Sequence, residues 1–165
     1  MRRTVYVETS VISYLAARPT RDLIVAARQQ VTHDWWQWRR RDLDLYVSQV
    51  VLDEILVGDS EAVERRVNFV AGLPFLDFPP EVADLAAGLI EHLRLPPRAK
   101  ADAAHIALAA FHGIDFLLTW NCTHIANAEL RPRVEQTCQN YGYPAPILCT
   151  PDELMGEEDE RRTTW

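Results

Sequence analysis

Short apolar runs that recur between longer amphipathic stretches constrain this chain more than any other feature of its sequence. Residues 5–7, 45–51, 75–78, 116–119 and 147–149 are rich in Val, Ile, Leu, Phe and Tyr and read as strands. The intervening stretches carry apolar residues at helical spacing. One short helix is expected over 11–17, with Thr9 or Ser10 as its cap, and a long one over 21–41. Another begins near Leu52, and Asp59-Ser60 restarts a second that runs to Gly72. Helices follow over 81–95, closed by Pro96-Pro97, over the alanine-rich 100–111, closed at Gly113, and over 126–141. Strands alternating with helices in this way predict a three-layer α/β/α sandwich around a parallel sheet of four to five strands.

Length and charge limit what such a sheet can serve. At 165 residues the chain fits one domain that can bury a core without staples. Three cysteines without a C-x-x-C pair support neither a disulfide framework nor a zinc ribbon, and suit a reducing cytosol. The apolar run near the N-terminus is too short for a signal peptide, and no stretch suffices to span a bilayer, so a cytoplasmic protein is expected. Of the net charge of −7, residues 152–165 contribute −4 through six acids and two arginines, leaving −3 for residues 1–151. The expected organisation is one domain over 1–151 and a flexible acidic tail over 152–165. A body this mildly acidic does not bind nucleic acid through bulk charge, so such binding would need a local basic surface or a bridging metal.

Parallel sheets place ligands beyond the carboxyl ends of their strands, and four polar residues fall there. Glu8 follows the first strand, Glu54 lies in the first turn expected after the second, and Asn121 follows the strand over 116–119. Asp102 lies in the first turn of the alanine-rich helix, facing the same edge. Carboxylates gathered at one rim repel each other, and a divalent cation removes that cost. Oxygen ligands favour Mg²⁺ or Mn²⁺, and no His/Cys set with zinc spacing competes. Neither a Gly-rich phosphate loop nor a G-x-S-x-G elbow is present.

The segments YVETSVISYL, SQVVLDEI, KADAAHIALAA and LLTWNCTHIAN, in this order, resemble the PIN-domain family, particularly VapC-like toxins. The resemblance runs from about Val5 to Thr150. It implies a metal-dependent endoribonuclease, the toxin of a type II toxin–antitoxin system, with RNA as substrate and a small antitoxin as partner. It places the acidic positions on Glu8, Glu54, Asp102 and Asn121 as metal-holding and catalytic residues, with Thr9 or Ser10 as the supporting hydroxyl. Two positions depart from the family pattern: Glu8 stands where aspartate is usual, and Asn121 adds no charge. The alternative is therefore a catalytically weakened PIN-like module that binds RNA or a protein without cutting.

Other residues carry competing readings. His105 is read first as a packed, satisfied polar residue, with hydrogen bonding to an acidic ligand or contact with a phosphate as the alternative, and His124 likewise. Arg98 and Lys100 suit either a solvated helix start or phosphate attraction. Trp35, Trp36 and Trp38 are mainly core, but three so close cannot all face inward. Their outer part suits a partner, either an antitoxin helix or a second copy in a homodimer. Arg39-Arg40-Arg41 reads as a solvated helix end.

Overall fold

The structure, a computed structural model, describes residues 1–156. Five parallel strands form one sheet: β1 (Arg3–Val7), β2 (Leu43–Ser48), β3 (Phe75–Leu76), β4 (Phe116–Leu118) and β5 (Ile147–Cys149), in the order β3-β2-β1-β4-β5. Seven helices connect them: α1 (Thr9–Ala16), α2 (Leu23–Trp38), α3 (Gln49–Ile55), α4 (Ser60–Val70), α5 (Pro80–Leu93), α6 (Lys100–Phe111) and α7 (Arg131–Asn140). This is the α/β/α sandwich the alternating pattern predicts. Helices α1 to α4 pack on one another as one group and α5 to α7 as a second, with α3 touching α6. Val5, Tyr6 and Val7 of the central strand are fully buried on both faces, and so are Ala103, Ile106, Ala107 and Ala110 of α6. The alanines explain how α6 sinks so deep, because small side chains let its backbone approach its neighbours.

The chain starts in the middle of the sheet, builds outward through β2 and β3, then returns to the other side of β1 with β4 and β5. The strand order therefore reverses between β1 and β4, where such sheets form their ligand crevice.

Several element boundaries differ from the pattern. The second strand ends at Ser48, and Gln49 to Val51, expected to extend it, open α3 instead. Ser48 caps that helix by accepting from the Val51 N–H at 3.4 Å, which ends the strand despite the continuing run of valines. Glu54 consequently lies in the last turn of α3 rather than the first. Neither Thr9 nor Ser10 caps α1; Glu8 does, its carboxylate accepting from the Ser10 N–H at 3.0 Å. Helix α2 stops at Trp38, and Arg39–Asp42 form a single 3₁₀ turn. The third strand is only two residues long. Helix α7 starts at Arg131, because the preceding residues fold into turns on the Asn121 and Asn127 carbonyls. Residues 152–156 do not leave the body as a tail. Leu154 is buried, and Glu153 accepts from the Thr150 N–H at 2.9 Å and pairs with Arg131 at 3.3 Å. The acidic run 157–160 lies outside the described residues.

The tryptophans divide as steric reasoning requires. Trp35 is buried, Trp36 packs edge-on against Phe69, and Trp38 is exposed on one side. Arg40 and Arg41 lie over the rings of Trp36 and Trp38, so the arginine run covers aromatic surface as well as meeting solvent.

At the amino-terminal edge of the sheet, Asp115 ties β1 to β4. Its carboxylate accepts from the Thr4 N–H at 2.8 Å and the Thr4 hydroxyl at 3.0 Å, and pairs with Arg3 at 2.9 Å. Its own N–H donates to Thr4 Oγ1 at 2.9 Å. The Thr4 amide, followed by the Thr4 hydroxyl and Arg3, holds the Asp115 carboxyl below its ordinary value of 3.8 despite some desolvation. A lowered folded-state value means stability that is present above pH 3.8 and fades as pH falls through the folded value. Asp115→Ala is expected to cost about 1–2 kcal/mol at neutral pH in urea unfolding. The gap to the wild type should shrink as the solution is acidified below pH 3.8; a gap that widens there would contradict this account.

Candidate metal site

The carboxyl ends of β1 and β4 meet in register, Val7 beside Leu118, and Glu8 and Thr119 are the next residues on each strand. Glu8 N–H continues the ladder by donating to the Leu118 carbonyl at 3.0 Å. That bond turns the Glu8 side chain into the crevice, where it is only 5% exposed. A buried carboxylate needs donors. Glu8 Oε2 has three: the Ser10 N–H, the Ser10 hydroxyl, and the Thr119 hydroxyl at 2.7 Å. Ser10 Oγ in turn accepts from the Trp120 N–H, and Thr119 Oγ1 from the Asn121 N–H, both at 2.8 Å. Glu8 Oε1 has no hydrogen bond among the described residues.

Glu54 reaches the crevice from α3. Its Oε1 accepts from the Thr9 hydroxyl at 2.6 Å and bonds His105 Nε2 at 2.7 Å. Burial pushes the Glu54 carboxyl up, but the His105 hydrogen bond and ring, together with Thr9, outweigh it and hold the group below the ordinary carboxylate value. Ionised Glu54 can only accept, so a neutral His105 carries its proton on Nε2. Its Nδ1 bonds the Tyr6 hydroxyl at 2.7 Å, and that hydroxyl bonds the Ser48 hydroxyl at 2.7 Å. Burial drives the Tyr6 phenol far above its ordinary value, which keeps it a donor. Both readings of His105 thus hold: it is fully buried and satisfied, and it grips an acid of the site.

One atom each from Glu8, Glu54 and His105 lies within 4.8 Å of the other two. Both nitrogens of His105 are occupied, so the donor atoms left without a hydrogen bond among the described residues are oxygens, Glu8 Oε1 and Glu54 Oε2. Two ionised carboxylates this close repel each other unless a cation intervenes. The donor set therefore fits a hard divalent ion, Mg²⁺ or Mn²⁺.

Asp102 stands outside this tight group, in the first turn of α6 and one helical turn before His105. Its Oδ2 bonds His124 Nδ1 at 2.9 Å. Asn121 spends its amide oxygen locally, accepting from the Thr123 and His124 N–H groups at 3.3 and 3.0 Å. The oxygen expected to face a metal is instead committed to an Asx-turn. Arg98 and Lys100 are exposed at the start of α6. Burial pushes the thiols of Cys138 and Cys149 up to about 11 and 12, so neither supplies a thiolate.

Sequence reasoning missed Tyr6, Ser48 and Thr119. Tyr6 lay inside an apolar strand and Thr119 at the end of another, where neither stood out from β-sheet composition. Ser48 carried a readable signal, a capping residue before a helical segment, but the valines after it masked that.

The fold and the paired acids at its switch point, Glu8 buried and Glu54 half-buried, define a PIN-type α/β domain. The PIN domain family model matches residues 5–121, and the chain belongs to that family. Among solved structures it is similar in fold to a chain of the VapBC2 complex of Rickettsia felis, determined with a DNA fragment from its promoter. The TM-score is 0.59 and the identity 14%, over 89% of this chain and 98% of that one. The search of curated proteins finds no match.

Thr119→Val keeps the side-chain shape but withdraws a donor from buried Glu8 and an acceptor from the Asn121 N–H. It is expected to destabilise the protein by about 1–3 kcal/mol at neutral pH, measured by chemical denaturation.

Proposed function

We propose that this protein is a metal-dependent endoribonuclease, acting as the toxin of a type II toxin–antitoxin pair. The observation that carries this reading is the pairing of Glu8 with Glu54 at the β1/β4 switch point, each with one oxygen bonded within the protein and one oxygen without a hydrogen bond among the described residues. Family membership supports the nuclease class, and the fold shared with the VapBC2 chain supports the toxin assignment.

Glu8 and Glu54 would hold Mg²⁺ or Mn²⁺, with Asp102 completing the acidic wall from α6. Bound there, such an ion supplies positive charge that offsets the charge developing on a phosphodiester. The chain's own residues do the rest. Ser10 and Thr119 fix Glu8, Thr9 and His105 fix Glu54, and His124 fixes Asp102, so the acids meet a substrate already oriented. Asn121 acts through the turn that carries His124 rather than as a ligand. Arg98 and Lys100 are the basic groups available to draw RNA phosphates toward α6.

A protein partner is supported by apolar surface on α2. Leu23 and Ile24 are 84% and 71% exposed beside a groove of about 600 Å³ that Ala27, Val31 and Trp120 help line. A small antitoxin is the proposed occupant; a homodimer is the further assembly proposed. Among the described residues, no helix is long and apolar enough to cross a membrane. A second reading, an RNA- or protein-binding module without cleavage, draws on the committed Asn121 oxygen, which leaves fewer ligands than the family pattern implies.

Single-stranded RNA incubated with the protein and Mg²⁺ or Mn²⁺ should be cut, and excess EDTA should stop the reaction. Glu54→Gln and Asp102→Asn should each lower the rate by about a hundredfold or more while circular dichroism stays unchanged. Undiminished cleavage in EDTA would refute the metal mechanism. RNA retention without cleavage or Mn²⁺ binding would establish the second reading.

A further inference from the structure

We infer that His105, together with Thr9, is a positioning residue that limits Glu54 to a single metal-facing oxygen and so makes the pocket select small octahedral cations, Mg²⁺ or Mn²⁺, over Ca²⁺. The inference rests on the nuclease reading in taking Glu8 and Glu54 as ligands, and adds to it a basis for metal choice.

Each acid has one oxygen withdrawn from coordination. Glu8 Oε2 receives three donors, and Glu54 Oε1 lies 2.6 Å from the Thr9 hydroxyl and 2.7 Å from His105 Nε2. Only Glu8 Oε1 and Glu54 Oε2 remain, so each carboxylate can ligate through one atom. Magnesium takes six ligands at short range, keeps several of its waters, and needs only one or two protein carboxylates. Calcium takes six to eight, and commonly claims both oxygens of a carboxylate to reach that number. A pocket of single-oxygen acids meets the first demand and falls short of the second.

The Glu54 half of this arrangement is built from inside the core. Tyr6 and His105 are fully buried and Ser48 is nearly so, positions where apolar residues would pack without needing partners. Their hydrogen bonds form one continuous line. The Val51 N–H donates to Ser48, the Ser48 hydroxyl bonds the Tyr6 hydroxyl, that hydroxyl bonds His105 Nδ1, and His105 Nε2 bonds Glu54. The line ends on Glu54 Oε1, so the protein itself occupies that carboxylate oxygen. Partners of this kind commonly change metal affinity about 10- to 100-fold when removed.

Competition of Mg²⁺ and Ca²⁺ against Mn²⁺, followed through the electron paramagnetic resonance signal of free Mn²⁺, tests this on the full chain without substrate. The wild type should prefer Mg²⁺ to Ca²⁺ by about tenfold or more. Thr9→Val should narrow that preference about threefold, and Thr9→Val/His105→Phe about tenfold or more. His105→Gln, whose amide N–H can replace Nε2, should restore most of the selectivity. Thermal melts establish which variants are folded; should the double variant unfold, Thr9→Val alone decides. An unchanged Mg²⁺/Ca²⁺ ratio in a folded variant, or a wild type that binds both ions equally, overturns the inference and leaves the nuclease reading intact. A wild type that binds no divalent ion overturns both.

Discussion

A carboxylate buried at the end of a central β-strand carries a large desolvation cost unless several donors converge on it, and Glu8 is such a carboxylate. Its donors come from two places far apart in sequence, Ser10 in the helix that follows and Thr119 across the sheet. The same hydroxyls hold the backbone beyond β4, since Ser10 accepts from Trp120 and Thr119 from Asn121. One acid thus caps α1, joins β1 to the loop after β4, and sets the path of the turn carrying His124. The crevice between β1 and β4 owes its shape to satisfying this single charge.

The second acid is held by a different logic. Glu54 is less buried, and its support comes from beneath, through a line of hydrogen bonds that crosses from the α3 cap to α6 by way of the central strand. Burying three polar side chains in a core is tolerable only when each is satisfied, and every link here has a partner. In His105 one bond serves two ends, because the contact that satisfies the buried ring also holds the Glu54 carboxylate. Asp102 follows the pattern in simpler form, a carboxylate steadied by one imidazole.

The fold was largely legible because alternating apolar runs and amphipathic stretches leave few architectures open. That Glu8 and Glu54 come together was legible because both follow strands that end at one sheet edge. Hydrogen-bond commitments between distant residues were not. Nothing local distinguishes Thr119 or Tyr6 from ordinary strand residues, and their importance appears only when β4 and α6 come alongside β1. Asn121 shows the converse: its position was right for a ligand, but an Asx-turn claimed its oxygen, a purely local competition that position alone does not resolve. Ser48 misled for a related reason, since Val50 and Val51 extend a β-like composition into a helix whose start one hydroxyl determines.

The switch-point topology also sets the order in which the protein can come into being. Strand β1 lies at the centre of the sheet, and on one side its neighbour is β4, more than a hundred residues later. Thr119, Asn121 and the turn bearing His124 are later still. A nascent chain emerging from the ribosome can pair β1 with β2 and β3 early, yet it holds Glu8 without Thr119 and Asp102 without His124. Such non-local pairing closes late, because its loop-closure entropy must be met before its contacts form. The acidic crevice is therefore among the last parts of the molecule to assemble, and a truncated or half-synthesised chain is built without it.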